Sequence, residues 1–304
     1  MPHASPARRP SGFTLIELLV VIGVIALLIG ILLPVLGKAR ASGRAIASAS
    51  NLRQWGTGMA LFANDNNDLI PWDGEDQPGL SAGTPFRPTY EWDEWYANAI
   101  PPYLGYRRFR EFLPNDGTPD GNSIFVDPAA ETPENYPANY TISVNGQDRS
   151  YFFTYVINSA LPRSVNAPPL FVVHKEPRVI DGFERPSLVD FSSASSTVLM
   201  IEKRAVRNEI ADEKLGGTDS EFYSADLNRV KGDFQRFAAR HNDGGHLLFA
   251  DGHVEFTDYL DAITQADGSL DVENRGILQG GVGATRMNRE DRIWAPYIWP
   301  YRFP

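Results

Sequence analysis

Residues 18–36 read LLVVIGVIALLIGILLPVL and contain no charged side chain. As an α-helix with a rise of about 1.5 Å per residue, this run is roughly 28 Å long, which matches the hydrocarbon thickness of a bilayer. It is longer than the apolar core of an ordinary secretory signal peptide, about 7–15 residues, and no small-x-small cleavage site closes it. The run therefore predicts a retained membrane-spanning helix rather than a cleaved secretory signal.

The composition limits what the rest of the chain does. The 304 residues include 28 Lys and Arg, 38 Asp and Glu, and no Cys, and the formal net charge is −10. The 42% hydrophobic content excludes a wholly disordered chain. The lack of Cys excludes disulfides, cysteine–zinc sites and a thiol nucleophile. We expect no nucleic-acid partner, because such binding needs Lys and Arg to replace phosphate counterions.

The residues before the apolar run carry a specific pattern. Residues 11–17 read SGFTLIE, and Glu17 stands at the start of the run, where a carboxylate is costly unless it is paired. This stretch resembles the processing site of type IV pilins and of type II secretion pseudopilins. Pro34 also lies where such proteins often carry a Pro.

This resemblance implies a role for each residue of the site. A prepilin peptidase would cut between Gly12 and Phe13 and methylate the new N-terminal Phe13. Glu17 would pair with the N-terminal amine of a neighbouring subunit and set the register of assembly. The alternative for Glu17 is that it only lies at headgroup depth.

The resemblance and the residue pattern together predict the domain organisation. We expect a leader at 1–12, a transmembrane helix at 13–36, an amphipathic continuation at 37–63 and a head at 64–304. Spacings of three, four and three residues place Leu52, Trp55, Met59 and Phe62 on one helical face. The expected fold class is α+β, a long N-terminal helix packed on a mostly antiparallel sheet, as in pilins. Loss of the leader removes Arg8 and Arg9, so the mature charge becomes 26 minus 38, or −12.

Basic residues flank the apolar run on both sides, so charge does not decide the orientation. The resemblance implies a single-pass inner-membrane protein with a cytoplasmic N-terminus and an extracytoplasmic head. It also implies a second location for the protein, in a pilus or pseudopilus fibre.

Local patterns predict several elements of the head. Strands are expected at residues 123–126, 151–156, 170–173 and 197–202, and a helix-like segment at 91–97. The cluster at residues 64–68, NDNND, ends the long helix; it is either a turn or a set of calcium ligands.

A hairpin is expected at residues 241–256. Asp251-Gly252 between two apolar runs predicts a two-residue type I′ turn that pairs Phe249 with Val254. One face of this hairpin would then be apolar, formed by Leu247, Phe249, Val254 and Phe256.

The same segment resembles the C-terminal H-x9-DG signature of large pilin-like proteins of unknown function, which are abundant in planctomycete-type bacteria. His241, Asp251 and Gly252 carry this resemblance. Heads of that family often have Cys-Pro after an early strand, where this chain has Asp127-Pro128.

A chemical role for this segment is a weaker alternative. His241, His246, Asp251 and His253 offer donors for zinc or hydrolase chemistry, but the predicted register separates them. We therefore expect no bound metal, no cofactor and no catalytic residue, and the chain shows no nucleophile-elbow, zincin or phosphate-loop motif.

The expected function is that of a processed subunit of a pilus or type II secretion pseudopilus. Its partners would be the prepilin peptidase, other pilin-like subunits and the inner membrane. The alternative is a binding or hydrolytic head that borrows a pilin-type anchor and does not polymerise. The aromatic tail at residues 292–303 and the histidines of the hairpin support that alternative.

Overall fold

The computed structural model describes residues 15–71, 93–111, 124–130, 141–144, 147–150, 153–158, 178–180, 183–185, 187–188, 194–206, 209, 231–232 and 237–259. Among them, helix α1 covers Leu15–Asp65 and helix α2 covers Tyr96–Ala99. Short 3₁₀ turns lie at Pro101–Leu104, Phe109–Glu111 and Ala194–Ser196. The strands, in chain order, are β1 (Thr141–Val144), β2 (Gln147–Ser150), β3 (Tyr155–Asn158), β4 (Arg178–Ile180), β5 (Phe183–Arg185), β6 (Val198–Glu202), β7 (Lys231–Gly232), β8 (Gly244–Phe249) and β9 (Val254–Asp258).

Contacts divide the chain into two compact units, Met1–Gly43 and Arg44–Pro304. In the first unit, α1 exposes its large apolar side chains, and Pro34 lies inside the helix. In the second unit, α1 becomes amphipathic and buries Leu52, Trp55, Met59 and Phe62 in the core. The predicted apolar face is therefore confirmed.

The Asn/Asp cluster at residues 64–68 closes the C-terminal end of α1. The backbone N–H groups of Asn66 and Asp68 donate to the carbonyl of Ala63 at 3.1 and 2.8 Å. The Asn66 side-chain amide donates to the carbonyl of Phe62 at 2.8 Å. Asn67 and Asp68 adopt left-handed φ angles of 57° and 63°, which Asn and Asp tolerate better than most residues. The cluster therefore forms a helix-ending turn.

The main sheet has the strand order β7-β3-β6-β8-β9. Strands β3, β6, β8 and β9 pair antiparallel, and only the short β7 runs parallel to its neighbour β3. Strands β1–β2 and β4–β5 form two further antiparallel pairs. Every residue of β3, β6 and β8 is buried, which is typical of strands covered on both faces. The α+β pilin-like arrangement is confirmed.

An aromatic cluster joins α1 to α2 and to residues 124–125 within the second unit. The ring of Trp55 makes edge contacts with Tyr96 and Phe125 at centroid distances of 5.9 and 5.6 Å. The indole N–H of Trp55 donates to the carbonyl of Ile124 at 2.6 Å. Such pairs bury large areas and satisfy the polar atom of the indole at the same time.

The strand prediction at residues 197–202 is confirmed by β6, whereas the one at 123–126 is wrong. Ile124, Phe125 and Val126 are buried but form a turn. Two of their carbonyls make hydrogen bonds that do not belong to a strand pair. The carbonyl of Ile124 accepts from the indole of Trp55, and the carbonyl of Phe125 accepts from the N–H of Thr154 at 2.9 Å. Of the predicted strand at 151–156, only residues 155–156 belong to a strand, β3. Residues 151–152 and the predicted strand at 170–173 lie outside the described residues.

The hairpin of β8 and β9 forms, but the predicted register is wrong by one residue. Leu248 pairs with Val254, and His246 pairs with Phe256. The N–H of Gly252 donates to the carbonyl of Phe249, and the N–H of Phe249 donates to the carbonyl of His253, both at 2.9 Å. Gly252 has a φ of 88°, and no positive φ occurs at Asp251. The loop is thus a three-residue turn with a glycine bulge instead of a type I′ turn.

The extra loop residue changes which side chains share a face. His246, Leu248, Val254 and Phe256 now lie on one face, and Leu247 lies opposite Glu255 on the other. The predicted all-apolar face is therefore absent from this hairpin. Since β8 is buried along its whole length, its burial does not depend on alternation. Phe256, on the outer strand, stays 45% exposed.

A two-residue turn with the predicted geometry occurs nine residues earlier, at Asn242-Asp243. Asn242 and Asp243 have φ angles of 52° and 64°. His241 and Gly244 exchange both backbone hydrogen bonds across them, at 2.9 and 3.2 Å. Left-handed φ at both central positions is what a type I′ turn requires, and Asn and Asp supply it. This turn fixes the position of His241 next to the start of β8.

Candidate functional site

The N-terminal segment is the first candidate site. Gly12 and Phe13 lie outside the described residues. Glu17 is in the first turn of α1 and is exposed. Helix α1 is long and apolar enough to cross a membrane, and the chain buries none of its most apolar 18-residue stretch. Exposed fractions along it range from 42% at Leu36 to 80% at Leu15, so this surface needs lipid or other apolar helices around it.

The second candidate site is a group of polar side chains buried in the second unit, which we call the polar cluster. It draws its members from α1, the turn at 124–130, β3, β6, β8 and the segments around them. The members are Ser48, Asp127, Tyr155, Glu202, Glu209, Arg240, His241 and His246.

Glu202, the last residue of β6, lies at the centre of the polar cluster and is fully buried. Its Oε2 accepts the backbone N–H of His246 at 2.9 Å, and its Oε1 lies 2.8 Å from Nδ1 of the same residue. The hydroxyl of Ser48 also donates to Oε1. A Cβ on Gly245 would lie 2.9 Å from Oε2, so glycine is needed for this close approach.

Asp127, Arg240 and His241 form the second half of the polar cluster. Oδ2 of Asp127 accepts from Nη1 of Arg240 at 2.8 Å and lies 2.9 Å from Nε2 of His241. The guanidinium of Arg240 also binds both carboxylate oxygens of Glu209, at 3.2 and 3.0 Å. Hydrogen bonds between charged groups are about twice as strong as those between neutral groups, so this arrangement fixes the Asp127 carboxylate.

The charges of the polar cluster shift the pKa values of its members. Burial alone would raise the pKa of Asp127, but Arg240 and His241 outweigh it and hold this pKa well below its usual range. Burial would lower the pKa of His241, but the hydrogen bond to Asp127 and the charge of Glu202 raise it overall. Burial also raises the pKa of the Tyr155 hydroxyl, with Asp127 and Glu202 adding to the effect.

The polar cluster also connects α1 to the sheet. The hydroxyl of Ser48 contacts the hydroxyl of Tyr155 at 2.7 Å in addition to Glu202. The amide of Asn51 donates to the same Tyr155 hydroxyl at 3.4 Å. Buried polar groups are costly unless they are bonded, so these contacts favour one fixed position of this part of α1.

The structure separates the three predicted signature residues. His241 lies in the polar cluster, whereas Asp251 and Gly252 form the exposed turn at the other end of β8. There, Oδ1 of Asp251 accepts the backbone N–H of His253 at 3.1 Å and contacts Nδ1 of the same residue at 2.5 Å. Burial alone would raise the pKa of Asp251, but the hydrogen bonds from His253 lower it. The net shift of this pKa is downward. The four predicted donors thus divide into His241 with His246, and Asp251 with His253.

Comparison with known proteins bears on the N-terminal segment. Residues 7–33 match the family model described as the prokaryotic N-terminal methylation motif. The chain carries a prepilin methylation motif. Neither curated proteins nor solved structures yield a match to the chain.

The methylation motif covers Gly12, Phe13 and Glu17 and continues into the exposed apolar part of α1. It marks an N-terminal signal of the prepilin type, which a prepilin peptidase processes. Together with the apolar helix, it indicates a membrane-anchored, pilin-like protein. The match ends at residue 33, so the polar cluster in the second unit lies outside it.

Sequence reasoning did not find Asp127, Glu202, Glu209 or Arg240 as members of a buried site. The sequence did contain one signal that Glu202 is buried, because this residue ends strand β6 after four apolar residues. A buried carboxylate is rare unless it has a bonded partner. The contacts of Asp127 with Arg240 and His241 join residues more than a hundred positions apart. No local pattern encodes such contacts.

Proposed function

We propose that this protein is a prepilin-like subunit of a pilus or of a type II secretion pseudopilus. A prepilin peptidase cuts it between Gly12 and Phe13 and methylates Phe13, and the mature chain assembles with other pilin-like subunits. One observation carries the proposal: the methylation motif at residues 7–33 runs directly into a helix whose apolar side chains are exposed.

The physical chemistry of α1 supports assembly through this helix. Outside a bilayer, each large apolar side chain that neighbouring helices cover contributes about 1.5–3 kcal/mol. Glu17 among apolar helices requires an opposite charge. Cutting after Gly12 creates a positively charged amine at Phe13, four residues before Glu17, and this amine on a neighbouring subunit is a suitable partner. Processing is thereby coupled to assembly, since the uncut chain lacks that amine.

The proposal places the leader in the cytoplasm, the apolar helix in the inner membrane and the head outside. It assigns no catalytic residue to the chain, which is the substrate of processing. Its partners in assembly are other pilin-like subunits.

The mass of the mature chain tests processing. The full chain expressed with a prepilin peptidase is expected to lose residues 1–12 and to begin with N-methylated Phe13. Gly12→Val should leave the leader attached, because the peptidase needs the open backbone of glycine at the cut. Gly43→Ala, outside the motif, is the matched control and should be processed normally. A full-length mass for the wild type in the presence of active peptidase would contradict the proposal.

Thiol crosslinking tests assembly, and the absence of Cys in the chain makes every introduced thiol unique. One thiol per chain can link only two chains, so Leu19→Cys is combined with Leu28→Cys, half a helical revolution away in the exposed part of α1; this double variant should give a ladder of disulfide-linked oligomers after oxidation of membranes. Adding Glu17→Ala should remove most of the ladder and leave the cut intact. If crosslinking is identical with and without Glu17, this residue does not set the register between neighbouring subunits. A processed chain with no ladder would identify an anchored head that does not polymerise.

A further inference from the structure

The polar cluster brings two imidazoles and a carboxylate together from separate parts of the second unit. Glu202 Oε1 lies 2.8 Å from His246 Nδ1 and 3.7 Å from His241 Nε2. One donor atom from each residue lies within 4.8 Å of the other two. We propose that Glu202, His241 and His246 form a binding site for a divalent transition-metal ion with the ligand preferences of zinc.

The distances suit this class of ion. In tetrahedral zinc sites with bonds of about 2.0–2.2 Å, the ligand atoms lie roughly 3.4 Å from one another. The observed separations of 2.8 and 3.7 Å lie on either side of that value. All three donor atoms also lie within 4.8 Å of one another, which is close enough for them to surround one ion after rotation of the side chains.

The backbone holds the three ligands in place. Glu202 and His246 lie on the adjacent strands β6 and β8, and the bond from the His246 N–H to Oε2 turns Oε1 toward the imidazoles. The turn at Asn242-Asp243 places His241 beside the start of β8, and its ring centroid is 5.3 Å from that of His246. Ligands on strands and tight turns are preorganised, which is what a specific metal site requires.

Asp127 lies beside His241 but outside this group of three donors. Its Oδ2 lies 2.9 Å from His241 Nε2, and the guanidinium of Arg240 together with the N–H of Ala129 orients the carboxylate. Three protein ligands leave the fourth position of a tetrahedral site to a solvent molecule.

The charge of the polar cluster favours a dication. Two carboxylates, from Asp127 and Glu209, pair with the guanidinium of Arg240, and Glu202 adds a third buried carboxylate. With neutral imidazoles these groups sum to −2, and a divalent ion brings the sum to zero. Buried charges are stable when they are paired or bound to a metal.

The expectation of no metal, drawn from sequence, depended on a register in which His246 and His253 share a face without being opposite each other and Asp251 lies in the turn. The observed structure joins His241 and His246 through Glu202, a residue that sequence did not point to. A bound ion would fasten β6, β8 and the turn at Asn242-Asp243 to one another.

Metal content of the full chain in detergent tests the proposal. The chain is expressed in zinc-supplemented medium, freed of loose metal by size exclusion, and measured by mass spectrometry of the metal. A single zinc ion per chain is expected. X-ray absorption fine structure of this sample should show two imidazoles together with oxygen ligands. Zinc well below one per chain, or a spectrum without imidazole, would overturn the site.

Variants locate the ion. Glu202→Gln and His246→Gln preserve side-chain size and should each lower the zinc content at least tenfold. His253→Gln is the matched control, because His253 is exposed at the hairpin turn, and it should retain zinc in full. Circular dichroism checks that each variant is folded. Full zinc in a folded Glu202→Gln chain would refute the assignment, and if both variants misfold, the absorption spectrum of the wild type decides alone.

Discussion

Single residues in this chain carry structural requirements that their type alone does not reveal. Ser48 looks like one of several small residues in α1, yet its hydroxyl bonds both Glu202 and Tyr155 in the core. Ser50, two positions later, is exposed. The difference comes from the angle of 100° per residue in a helix, which places the two serines on opposite faces. Burial thus decides the role of the residue.

Gly252 gives a prediction at the scale of the residue. Its φ of 88° is left-handed, and a Cβ there would meet nothing within 4 Å, so any cost of substitution is conformational. Gly252→Val should destabilise the head by about 1–2 kcal/mol, because Val avoids left-handed φ. Gly252→Asn should cost clearly less, since Asn tolerates this region.

Thermal unfolding of the full chain in detergent, followed by tryptophan fluorescence, to which the buried Trp55 and Trp95 contribute, measures both variants. Equal losses for Val and Asn would show that contacts rather than φ set the requirement at position 252.

At the scale of elements, periodicity predicted more than turn chemistry did. The spacing of Leu52, Trp55, Met59 and Phe62 was sufficient to predict the buried face of α1, because helical spacing is regular over many residues. The hairpin was also predictable, but its register was not. Asp-Gly suits both a two-residue turn and a glycine bulge, and one residue of difference exchanges the faces of a strand. The polar cluster could not be predicted from the sequence, because Glu202 and Asp127 contact their partners only in the folded chain.

The two parts of α1 give a prediction at the scale of the element. A Cβ on Gly58 would lie 2.5 Å from Cγ2 of Ile100 and 3.1 Å from Leu104, whereas a Cβ on Gly43 would meet nothing within 4 Å. Gly58→Ala should therefore destabilise the head by about 1–3 kcal/mol through overpacking. Gly43→Ala, the same change in the same helix, should stabilise α1 by about 0.5–1 kcal/mol, because alanine favours helix.

Denaturant unfolding of the two variants against the wild type measures these opposite signs. A loss at both positions would mean that α1 requires flexibility at its glycines, and a gain at both would mean that the contact with Ile100 relaxes freely.

At the scale of the whole molecule, the chain combines two kinds of surface. The apolar part of α1 is exposed, and the second unit has its own buried core. The net charge of −10 belongs to a chain whose first 17 residues hold two Arg and one Glu, so its acidity comes from the rest. Under the proposed function, the acidity of the head favours its contact with water while the helix associates with apolar surroundings. The orientation of the chain across the membrane follows from the proposed function and is open to a direct test.

Single thiols report that orientation. Glu255→Cys, on the exposed side of β9, should react with a membrane-impermeant maleimide added to intact spheroplasts. Ala7→Cys in the leader, combined with Gly12→Val to retain it, should react only after the membrane is opened. The wild type, which has no Cys, is the control for background labelling. The reverse pattern would put the head in the cytoplasm, where it could not join a fibre. That result would overturn the proposed function and leave the metal site untouched, because the polar cluster depends only on the fold of the second unit.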